Sequence, residues 1–484
     1  MLEHILRRLG FGASPADMAV WSEMDPSAVI DRLLNYESQP TDIDTRINSG
    51  DAAYVGINTA QGRPFSPNTA INDARQRWLF RMVHSPRQLE EKMALFWHNH
   101  FATAYSKIAG AIGQERATRA MDNDPASLAG SPPGQIQLFR EHATGNFRDL
   151  LLAVSKDAAM IYWLDMQLNT RTRPQENFGR EIMELFSLGI GNYTEADVYA
   201  AARVFTGFNW QVVGNRADVM NSHYAFLYRP NDHDLNAKEF TFAIYPDGSK
   251  VIPARPAGQG EQDAVDFINA LARHPATARR LATRLYKYFV AETTEPDPTT
   301  INTMAQVYLS NNFSIKSMLR ILFVSSAFRN PNNFFQRYSW PVEFVVRAIK
   351  ETGFAGYSVS NAITPMANMG QNLYEPPDVN GWETGPGWFS TSSMLTRMNF
   401  SASLAQNQRF NLARDAQPHR QSPDRVLEYM LSRFQTIGFN GNATAAMGDY
   451  LRSGPAWTGS DAQLQQKVPG LTRLIVGSGE YQFN

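Results

Sequence analysis

Apolar positions recur at helical spacing along most of the chain. The segment "SPRQLEEKMALFWHNHF", residues 85–101, is an example, because its large apolar side chains fall on one stripe of a helix. Ser85 and Pro86 predict that this helix begins near Pro86, since serine is a common helix cap and proline fits the first turn. The pattern therefore predicts a mainly α-helical chain.

Similar cap signals recur elsewhere and connect helices into hairpins. Ser14 with Asp17, and Thr194 with Asp197, have the spacing of capping boxes. In residues 292–328, two helical patterns are separated by the polar stretch "SNNFS". We therefore expect a globular assembly of helical hairpins, without the fixed-period repeat that builds a solenoid.

Four segments interrupt the helical pattern. Residues 40–70 and 121–134 are polar and rich in glycine and proline, which predicts loops. Residues 208–255 alternate apolar and polar positions around "PDGS", which predicts a small β-hairpin insertion. Residues 372–391, "NLYEPPDVNGWETGPGWFST", contain too much proline and glycine for a helix and predict an ordered aromatic loop.

These changes of pattern divide the chain into four regions. Residues 1–207 form an N-terminal helical region with the candidate site, and residues 208–258 form the β insertion. Residues 259–350 are helical again, and residues 351–484 contain the Trp/Pro/Gly loop and further helices. We expect the four regions to make one compact unit.

Composition narrows the classes of function. With 484 residues, of which 43% are hydrophobic, the chain can bury a large core. Its 45 basic and 46 acidic residues give a formal net charge of −1, so no overall field attracts nucleic acid. There is no cysteine, no signal-peptide pattern and no run of about 18 apolar residues, so we expect neither Cys-ligated metals nor a membrane span.

His98 and His100 form a His-x-His pair that invites a metal-site interpretation. Because the two residues are only two positions apart, a helix would point their rings to opposite sides, and they could not share an ion. They could share one only if the chain were extended at this point. We expect His100 to point inward with Phe96 or Trp97.

The densest group of polar residues lies in "QENFGREIMELFSLGIGNYTEADV". On a helix, Asn177, Arg180, Glu181 and Glu184 would cluster on one side. Two carboxylates beside an arginine can provide acid–base chemistry, metal ligands or an ion-pair network. The structural alternative is an exposed Arg180–Glu184 pair, worth a few tenths of a kcal/mol.

The aromatic loop and the segment after it supply candidate binding residues. Trp382 and Trp388 would form a stacking platform for a sugar ring, or would only pin the loop to the helices. Arg397 would orient an anionic group or close a salt bridge. The sequence lacks a Walker lysine motif, a G-x-S-x-G elbow and an H-E-x-x-H helix.

Eight blocks carry a resemblance to a known family over nearly the whole chain. They include "FWHNHF", "REHATGN", "ENFGRE" and "HDLNAKEF", and lie at residues 4–15, 92–103, 139–151, 176–198, 202–208, 233–240, 271–290 and 375–400. The chain resembles the bacterial family called domain of unknown function 1800. The family often has a histidine where this chain has Phe186, so a role for that histidine is absent here.

The resemblance implies a setting but no reaction. It implies an exported protein, periplasmic or secreted, with a potential partner in another family, domain of unknown function 1501, which resembles phosphatases and sulfatases. It also favours function for the polar groups in its blocks, since core packing does not require ionisable side chains. His142 is one such candidate, and its structural alternative is a hydrogen-bonded turn. The group of His233, Asp234 and Lys238 is another, and its alternative is a loop that satisfies the hydrogen bonds of its own backbone.

The preferred hypothesis is an exported enzyme that uses carboxylate and imidazole acid–base chemistry, as a hydrolase or lyase acting on a carbohydrate-like polymer. We expect one cleft to contain its catalytic candidates, Glu181, Glu184, Arg180, His142 and His100. The substrate-binding candidates are Trp382, Trp388, His233, Asp234, Lys238, Arg397 and Asn177.

Two alternatives remain open. The first is an enzyme dependent on a divalent metal such as Zn, Mn or Fe. Its ligands would come from His98 or His100, His142, Glu181, Glu184 and His233. The second is a non-catalytic exported partner of a phosphatase-like protein or a cell-surface assembly.

Overall fold

The computed structural model describes residues 1–59, 62–435 and 440–484. Within these ranges the chain forms 24 α-helices and only two small antiparallel sheets, which confirms the predicted mainly α-helical fold. Residues 60 and 61 of the predicted 40–70 loop, and residues 436–439 of the predicted C-terminal region, lie outside the described residues. None of the described helices combines the length and the apolar character needed to cross a membrane.

The first half of the chain contains twelve α-helices. They are α1 (Leu2–Leu9), α2 (Pro15–Trp21), α3 (Pro26–Leu34), α4 (Ile71–His84), α5 (Gln88–His100), α6 (Tyr105–Ile112), α7 (Gln114–Asp122), α8 (Gln135–Glu141), α9 (Phe147–Ser155), α10 (Ala158–Trp163), α11 (Glu176–Glu184) and α12 (Glu195–Val204).

The second half contains twelve more. They are α13 (Glu261–Arg273), α14 (Pro275–Phe289), α15 (Pro298–Ser310), α16 (Ile315–Val324), α17 (Ser326–Arg329), α18 (Pro341–Thr352), α19 (Ser360–Asn368), α20 (Thr391–Asn407), α21 (Arg409–Ala416), α22 (Pro423–Arg433), α23 (Gly441–Arg452) and α24 (Asp461–Val476).

The β insertion is present but is arranged differently from the prediction. Strand β1 (Phe208–Val213) pairs with β2 (His223–Tyr228) as an antiparallel hairpin, before the "PDGS" turn. The "PDGS" turn separates only the two-residue strands β3 (Lys238–Glu239) and β4 (Val251–Ile252). The segment "FTFAIY" shows the predicted alternation, with Phe240, Phe242 and Ile244 buried and Thr241 and Ala243 exposed, but it is not a strand, because the pairing of β3 with β4 ends before it.

The predicted caps of α2 and α12 are confirmed. Ser14 and Asp17 exchange side-chain and backbone hydrogen bonds, and Thr194 and Asp197 do the same. The polar "SNNFS" stretch joins α15 and α16, as expected. These local signals were readable because each involves residues only three or four positions apart.

The predicted start of α5 at Pro86 is wrong by two residues. Ser85 does not cap this helix; its Oγ accepts a hydrogen bond from the Arg87 backbone N–H at 3.1 Å. The Gln88 amide donates to the Ser85 carbonyl at 2.7 Å. The Ser-Pro pair therefore belongs to a turn, and α5 begins at Gln88.

Two helices, α5 and α18, run through the interior. From Leu89 to His100 every residue of α5 is buried, and all twelve residues of α18 are buried. Lys92 of α5 forms an ion pair with Glu343 of α18, whose carboxylate also binds Arg337 at 2.6 Å. These cations lower the pKa of Glu343 to about 2 against the opposing effect of burial, so the pair is charged and fixes the two helices together.

Candidate functional site

A cleft of about 750 Å³ opens where α14 faces the aromatic loop after residue 376. Its walls include Phe96 and Asn99 of α5, Tyr288 of α14 and Trp340 before α18. Elements far apart in sequence therefore meet around one concave surface, as binding sites commonly do. We call it the cationic cleft, because three basic residues of α14 line it: Arg280, Arg284 and Lys287.

The three cations share one face of α14 and have no carboxylate partner. Positions 280, 284 and 287 are spaced i, i+4 and i+7. Among the residues that the structure describes, no Asp or Glu forms an ion pair with any of them; Arg280 donates one hydrogen bond, to the Leu185 carbonyl at 3.0 Å. Burial, followed by the charge of Arg280, lowers the pKa of Arg284 to about 10. The cluster is thus a row of positive charges that no described ion pair neutralises.

Three carboxyl groups line the same cleft. Glu292 is part-buried and accepts a hydrogen bond from the Tyr338 backbone N–H at 3.1 Å. Burial raises the pKa of Glu292, because solvent is removed from its charged form, while Arg337 opposes the rise. Asp378 and Glu383, on the loop, are exposed. Carboxyls in different surroundings are suited to different proton-transfer roles.

The aromatic loop is fixed to α5 by a close backbone contact. Gly381 has φ +89°, and a Cβ there would lie 2.4 Å from the Asn99 Oδ1. The backbone N–H of Trp382 donates to the same oxygen at 2.7 Å. Only glycine permits this approach, so "NGW" positions one wall of the cleft.

Trp382 and Trp388 are both buried, each about 3% exposed. The Trp382 ring packs edge-on against His98, with centroids 5.1 Å apart, and the residue lines the cationic cleft. The Trp388 ring contacts Trp340. Burial of this degree indicates that both indoles pin the loop, and it leaves little open face for stacking a sugar ring.

His98 and His100 point in different directions, as predicted. The His98 ring contacts Trp78, Tyr374 and Trp382, whereas the His100 Nε2 donates to the Phe186 carbonyl at 3.0 Å. His100 also packs on Phe96 and Trp97, as expected.

Burial lowers the pKa of both histidines, that of His98 to about 3. The nearby charges of Arg284 and Arg280 lower the pKa of His100 further. A neutral His100 therefore lies beside the cationic cleft, next to the position where the resembling family often has a histidine and this chain has Phe186.

Arg180 and Glu184 do not form the i, i+4 pair that was the structural alternative. Arg180 binds Glu176 at 3.2 Å and Glu195 at 2.7 Å on the protein surface, and Glu184 accepts from the Tyr193 hydroxyl. Burial lowers the pKa of Arg280, and the charge of Glu184 partly opposes that decrease. Glu184 is therefore near enough to Arg280 for its charge to act on it, but no hydrogen bond or ion pair joins the two side chains in the described residues.

Two other members of the α11 group have no described partner that joins them to the cleft. Burial and the Glu184 charge raise the pKa of Glu181. Asn177 is exposed. Both residues stay candidates by sequence alone.

His142 lies at the C-terminal cap of α8 and is part-buried. Burial lowers its pKa, and the charge of Asp149 opposes that decrease. Its described interactions do not include Glu181, Glu184, His100 or His233. The expected meeting of His142 with the α11 carboxylates is therefore not supported by a contact in the described parts of the chain.

His233, Asp234 and Lys238 belong to a closed network around the buried carboxylate of Asp263. That carboxylate accepts from His233 at 3.2 Å and from Lys238 at 2.6 Å. Asp234 holds Arg203 through two bonds of 3.0 Å. This group therefore matches the structural alternative, in which the loop satisfies its own hydrogen bonds. The contacts described for it lie away from the cationic cleft.

Arg397 is fully buried and orients backbone rather than a ligand. It donates to the Ser339 carbonyl at 2.8 Å and to the Gln482 side chain at 3.2 Å. Its guanidinium also lies over the rings of Phe344 and Phe389. Burial lowers its pKa to about 9, and it forms no salt bridge with any described carboxylate.

The metal hypothesis has no assembled ligand set in the described residues. Within residues 1–59, 62–435 and 440–484, no three His, Asp or Glu side chains come together in a geometry that could hold an ion. His98, His100 and His233 have separate partners, as described above.

Arg280, Arg284, Lys287 and Glu292 were missed by the sequence reasoning. "RRLATRLYK" does contain basic residues at i, i+4 and i+7, but that spacing also fits an ordinary solvated helix face. What distinguishes the cluster is the absence of carboxylate partners in the described structure, which depends on the tertiary fold.

A family described as "Protein of unknown function (DUF1800)" matches residues 4–483, nearly the whole chain. The chain therefore belongs to this family, which confirms the resemblance carried by its sequence blocks. No curated protein and no solved structure matches the chain.

Proposed function

We propose that this member of the DUF1800 family is an enzyme that binds an acidic, carbohydrate-like polymer in the cationic cleft and cleaves it by acid–base chemistry, as a hydrolase or lyase. The observation that carries the proposal is the row of three unpaired cations beside a part-buried carboxyl group. The carboxyl groups that line the cleft form no ion pair with these cations among the described residues, so an acidic substrate could supply the direct counter-charge.

The cations account for binding and for charge stabilisation. The charge of Arg280 disfavours that of Arg284, so a carboxylate or sulfate placed between them relieves that repulsion. A planar guanidinium also binds such groups through two parallel hydrogen bonds. Lys287 is exposed and extends the positive surface towards solvent.

Glu292 is suited to act as the general acid. A carboxyl group with a raised pKa keeps its proton closer to neutral pH and can donate it to a leaving oxygen. The exposed carboxylates Asp378 and Glu383 are the candidates for the base.

In hydrolysis, the base would accept a proton from the attacking water while Glu292 protonates the leaving oxygen. In elimination, the base would take a proton from carbon, a double bond would form, and the C–O bond would break with the same proton transfer from Glu292. The bound cations would neutralise the acidic group in either case, which makes the neighbouring C–H more acidic in the second.

Glu184 acts in this proposal as a positioning residue. Its charge favours the protonated form of Arg280, and Arg280 in turn lines the cleft. Glu184 would therefore act through Arg280 without contacting substrate. The charge of Glu184 also helps to raise the pKa of Glu181, the sequence candidate beside it.

The test is incubation of the protein with polygalacturonate, alginate, hyaluronan and, as a neutral control, dextran. New reducing ends would indicate cleavage, and ultraviolet absorption from a new double bond would identify elimination. We expect cleavage of at least one acidic polymer and none of dextran. Binding of an acidic polymer without cleavage would instead favour the non-catalytic alternative.

The setting of the protein is proposed from family resemblance alone. We propose a periplasmic or secreted location, and a partner from the phosphatase-like family called domain of unknown function 1501. Fractionation of cells that express the natural gene would test the location, and recovery of the protein in the cytoplasmic fraction would contradict it.

A further inference from the structure

A smaller cavity, of about 350 Å³, shares no lining residue with the cationic cleft. Residues of α2, α3, α4 and α18 line it, and its apolar side includes Trp21, Leu33, Val83 and Phe354. We call it the lysine cavity, because Lys350, near the end of α18, is part of its wall. The cavity thus combines an amino group with a surface that can hold a carbon skeleton.

Lys350 is about 3% exposed, yet its ammonium group is held loosely. Its Nζ donates one hydrogen bond, of 3.3 Å, to Gln88 and approaches the Asp17 carboxylate only to 3.7 Å. An ammonium group has three donors, so two of them have no acceptor among the residues that the structure describes. Gln88 and Asp17 also line the cavity, so the Nζ lies between two side chains of its wall.

The other buried lysines are held by closer contacts. Lys92 donates to a backbone carbonyl at 2.9 Å, Lys238 to a carboxylate at 2.6 Å and Lys467 to a backbone carbonyl at 2.7 Å. Two further acceptors accompany each of these contacts, so every N–H of these three lysines has a partner. A purely structural lysine in this protein is therefore fully bonded, and Lys350 differs from that pattern.

The surroundings of Lys350 favour its uncharged form. Burial lowers the pKa of Lys350, and the charge of Asp17 opposes that decrease. The uncharged amine is the nucleophilic form, which attacks carbonyl carbon atoms. When Lys350 is uncharged, Asp17 and Arg32 are the remaining charged residues of the lining, one of each sign. The cavity then has no net charge that would select an ion.

His84 supplies a hydrogen-bond donor at the same cavity. Its Nε2 accepts from the Val55 backbone N–H at 2.9 Å, so the ring hydrogen lies on Nδ1, which has no partner in the described parts of the chain. Burial, followed by the charge of Lys350, lowers the pKa of His84 to about 4, so the ring is neutral near pH 7. This N–H can donate to a carbonyl oxygen whose carbon faces Lys350.

We propose that the lysine cavity is a second site, in which Lys350 forms an imine with a small, uncharged aldehyde or ketone. Its volume is within the range of small-molecule sites. The site is independent of the proposed reaction in the cationic cleft.

The chemistry is an addition followed by loss of water. The Nζ lone pair attacks the carbonyl carbon, a C–N bond forms, and the C=O electron pair moves to the oxygen, which His84 stabilises by its hydrogen bond. The C–O bond then breaks, the two amine hydrogens leave with that oxygen as water, and a C=N bond remains. When the imine takes a proton from solvent, the Asp17 carboxylate provides its counter-charge.

Reductive trapping on the full chain tests the site. Benzaldehyde is the probe, sodium cyanoborohydride reduces an imine to a stable secondary amine, and peptide mass mapping locates the label. Lys250, which is exposed, is the internal reference. We expect label to enter Lys350 about tenfold faster than Lys250, at a rate that saturates with benzaldehyde and is reduced by benzyl alcohol. A rate at Lys350 no higher than at Lys250, or one that does not saturate, would overturn the proposal.

Variants show whether the label enters through the cavity. Val20 lines the cavity and is 57% exposed, so Val20→Trp should obstruct it and slow labelling of Lys350 about tenfold. Val324→Trp, at a position that is 49% exposed and outside the lining, is the matched control and should leave the rate unchanged. If Val20→Trp does not fold, Ala53→Trp, at an exposed position of the lining, replaces it. Undiminished labelling of Lys350 in the folded variant would contradict the proposal.

Discussion

Three arginines with different surroundings illustrate how structural and functional candidates are separated in this protein. Arg180 shares two carboxylates at the surface, an arrangement that contributes little to stability. Arg81 is buried, and charge pairing with Glu91 raises its pKa despite burial. Arg284 has neither arrangement among the described residues and lines the cleft, and our proposal assigns its counter-charge to an acidic ligand.

The same contrast explains why the carboxylates chosen by sequence were not those that line the cleft. Glu181 and Glu184 were readable because they are three residues apart beside an arginine. Glu292 stands in the unremarkable stretch "VAETTEP", and its surroundings come from Arg337 and Glu343 through the fold. Residue spacing predicts neighbours on one helix, but not neighbours across the core.

Glu292→Gln should abolish polymer cleavage while leaving binding intact. The amide keeps the shape of the side chain and its hydrogen bond from Tyr338, but it cannot donate the proton. In the wild type, kcat/KM should fall as pH rises through the raised pKa of Glu292, since the protonated form is the active one. Glu295→Gln, exposed three residues away, is the control. Equal activity of both variants would remove Glu292 from the mechanism.

Glu292→Gln should not destabilise the protein at neutral pH. The folded-state pKa is raised, so the folded state holds the proton more tightly than the unfolded state does. Stability from this group is therefore present at low pH and is lost as pH rises through the folded pKa. Urea unfolding at pH 7 should give the variant an equal or higher free energy of unfolding. A loss of more than about 1 kcal/mol would mean that Arg337 stabilises the carboxylate.

At the scale of elements, the attachment of the aromatic loop to α5 should depend on one glycine. Gly381→Ala should cost about 3 kcal/mol, from the left-handed backbone conformation together with the clash at Asn99. Gly385 has φ +69° but no neighbour within 4 Å, so Gly385→Ala should cost only about 1 kcal/mol. Denaturant unfolding measures both, and equal costs would show that the contact with Asn99 does not hold the loop.

The network around Asp263 should be structural and separate from the cleft. Asp263→Ala leaves Lys238 and Arg255 without their buried counter-charge, and should cost about 3 to 5 kcal/mol. Because the partners of Asp263 lower its pKa, its contribution is present above the unfolded pKa and is lost as pH falls through the folded pKa. Stability measured from pH 7 down to pH 3 checks the sign. Reduced polymer binding by the folded fraction would contradict the separation.

Helices and caps were largely predictable from sequence, whereas their exact starts and the strand pairing were not. The boxes at Ser14 and Thr194 were correct because both partners lie within one turn. The start at Pro86 was wrong because Gln88 bonds the Ser85 carbonyl and keeps the turn separate from α5. The main hairpin lies earlier in the chain than predicted. Strands β1 and β2 pair at six positions, whereas β3 and β4, which flank "PDGS", pair at only two.

At the scale of the whole molecule, a formal net charge of −1 conceals a local row of three basic residues on one wall of the cationic cleft. Sequence could not reveal this cleft, since the residues at 96–99, 280–292 and 377–386 meet only after folding. The prediction of a single cleft that includes His142 and His233 also depended on contacts between distant parts of the chain, which residue spacing does not give.

The most direct test of the central claim compares Arg284→Gln with Arg279→Gln in binding to polygalacturonate. Both variants remove one positive charge from α14, but Arg279 is exposed and does not line the cleft. We expect Arg284→Gln to weaken binding about tenfold and to flatten its salt dependence, while Arg279→Gln stays close to wild type. Arg284→Gln should also leave stability equal or higher, because it removes a part-buried charge that Arg280 repels. Equal binding by the two variants would contradict a functional site in the cationic cleft.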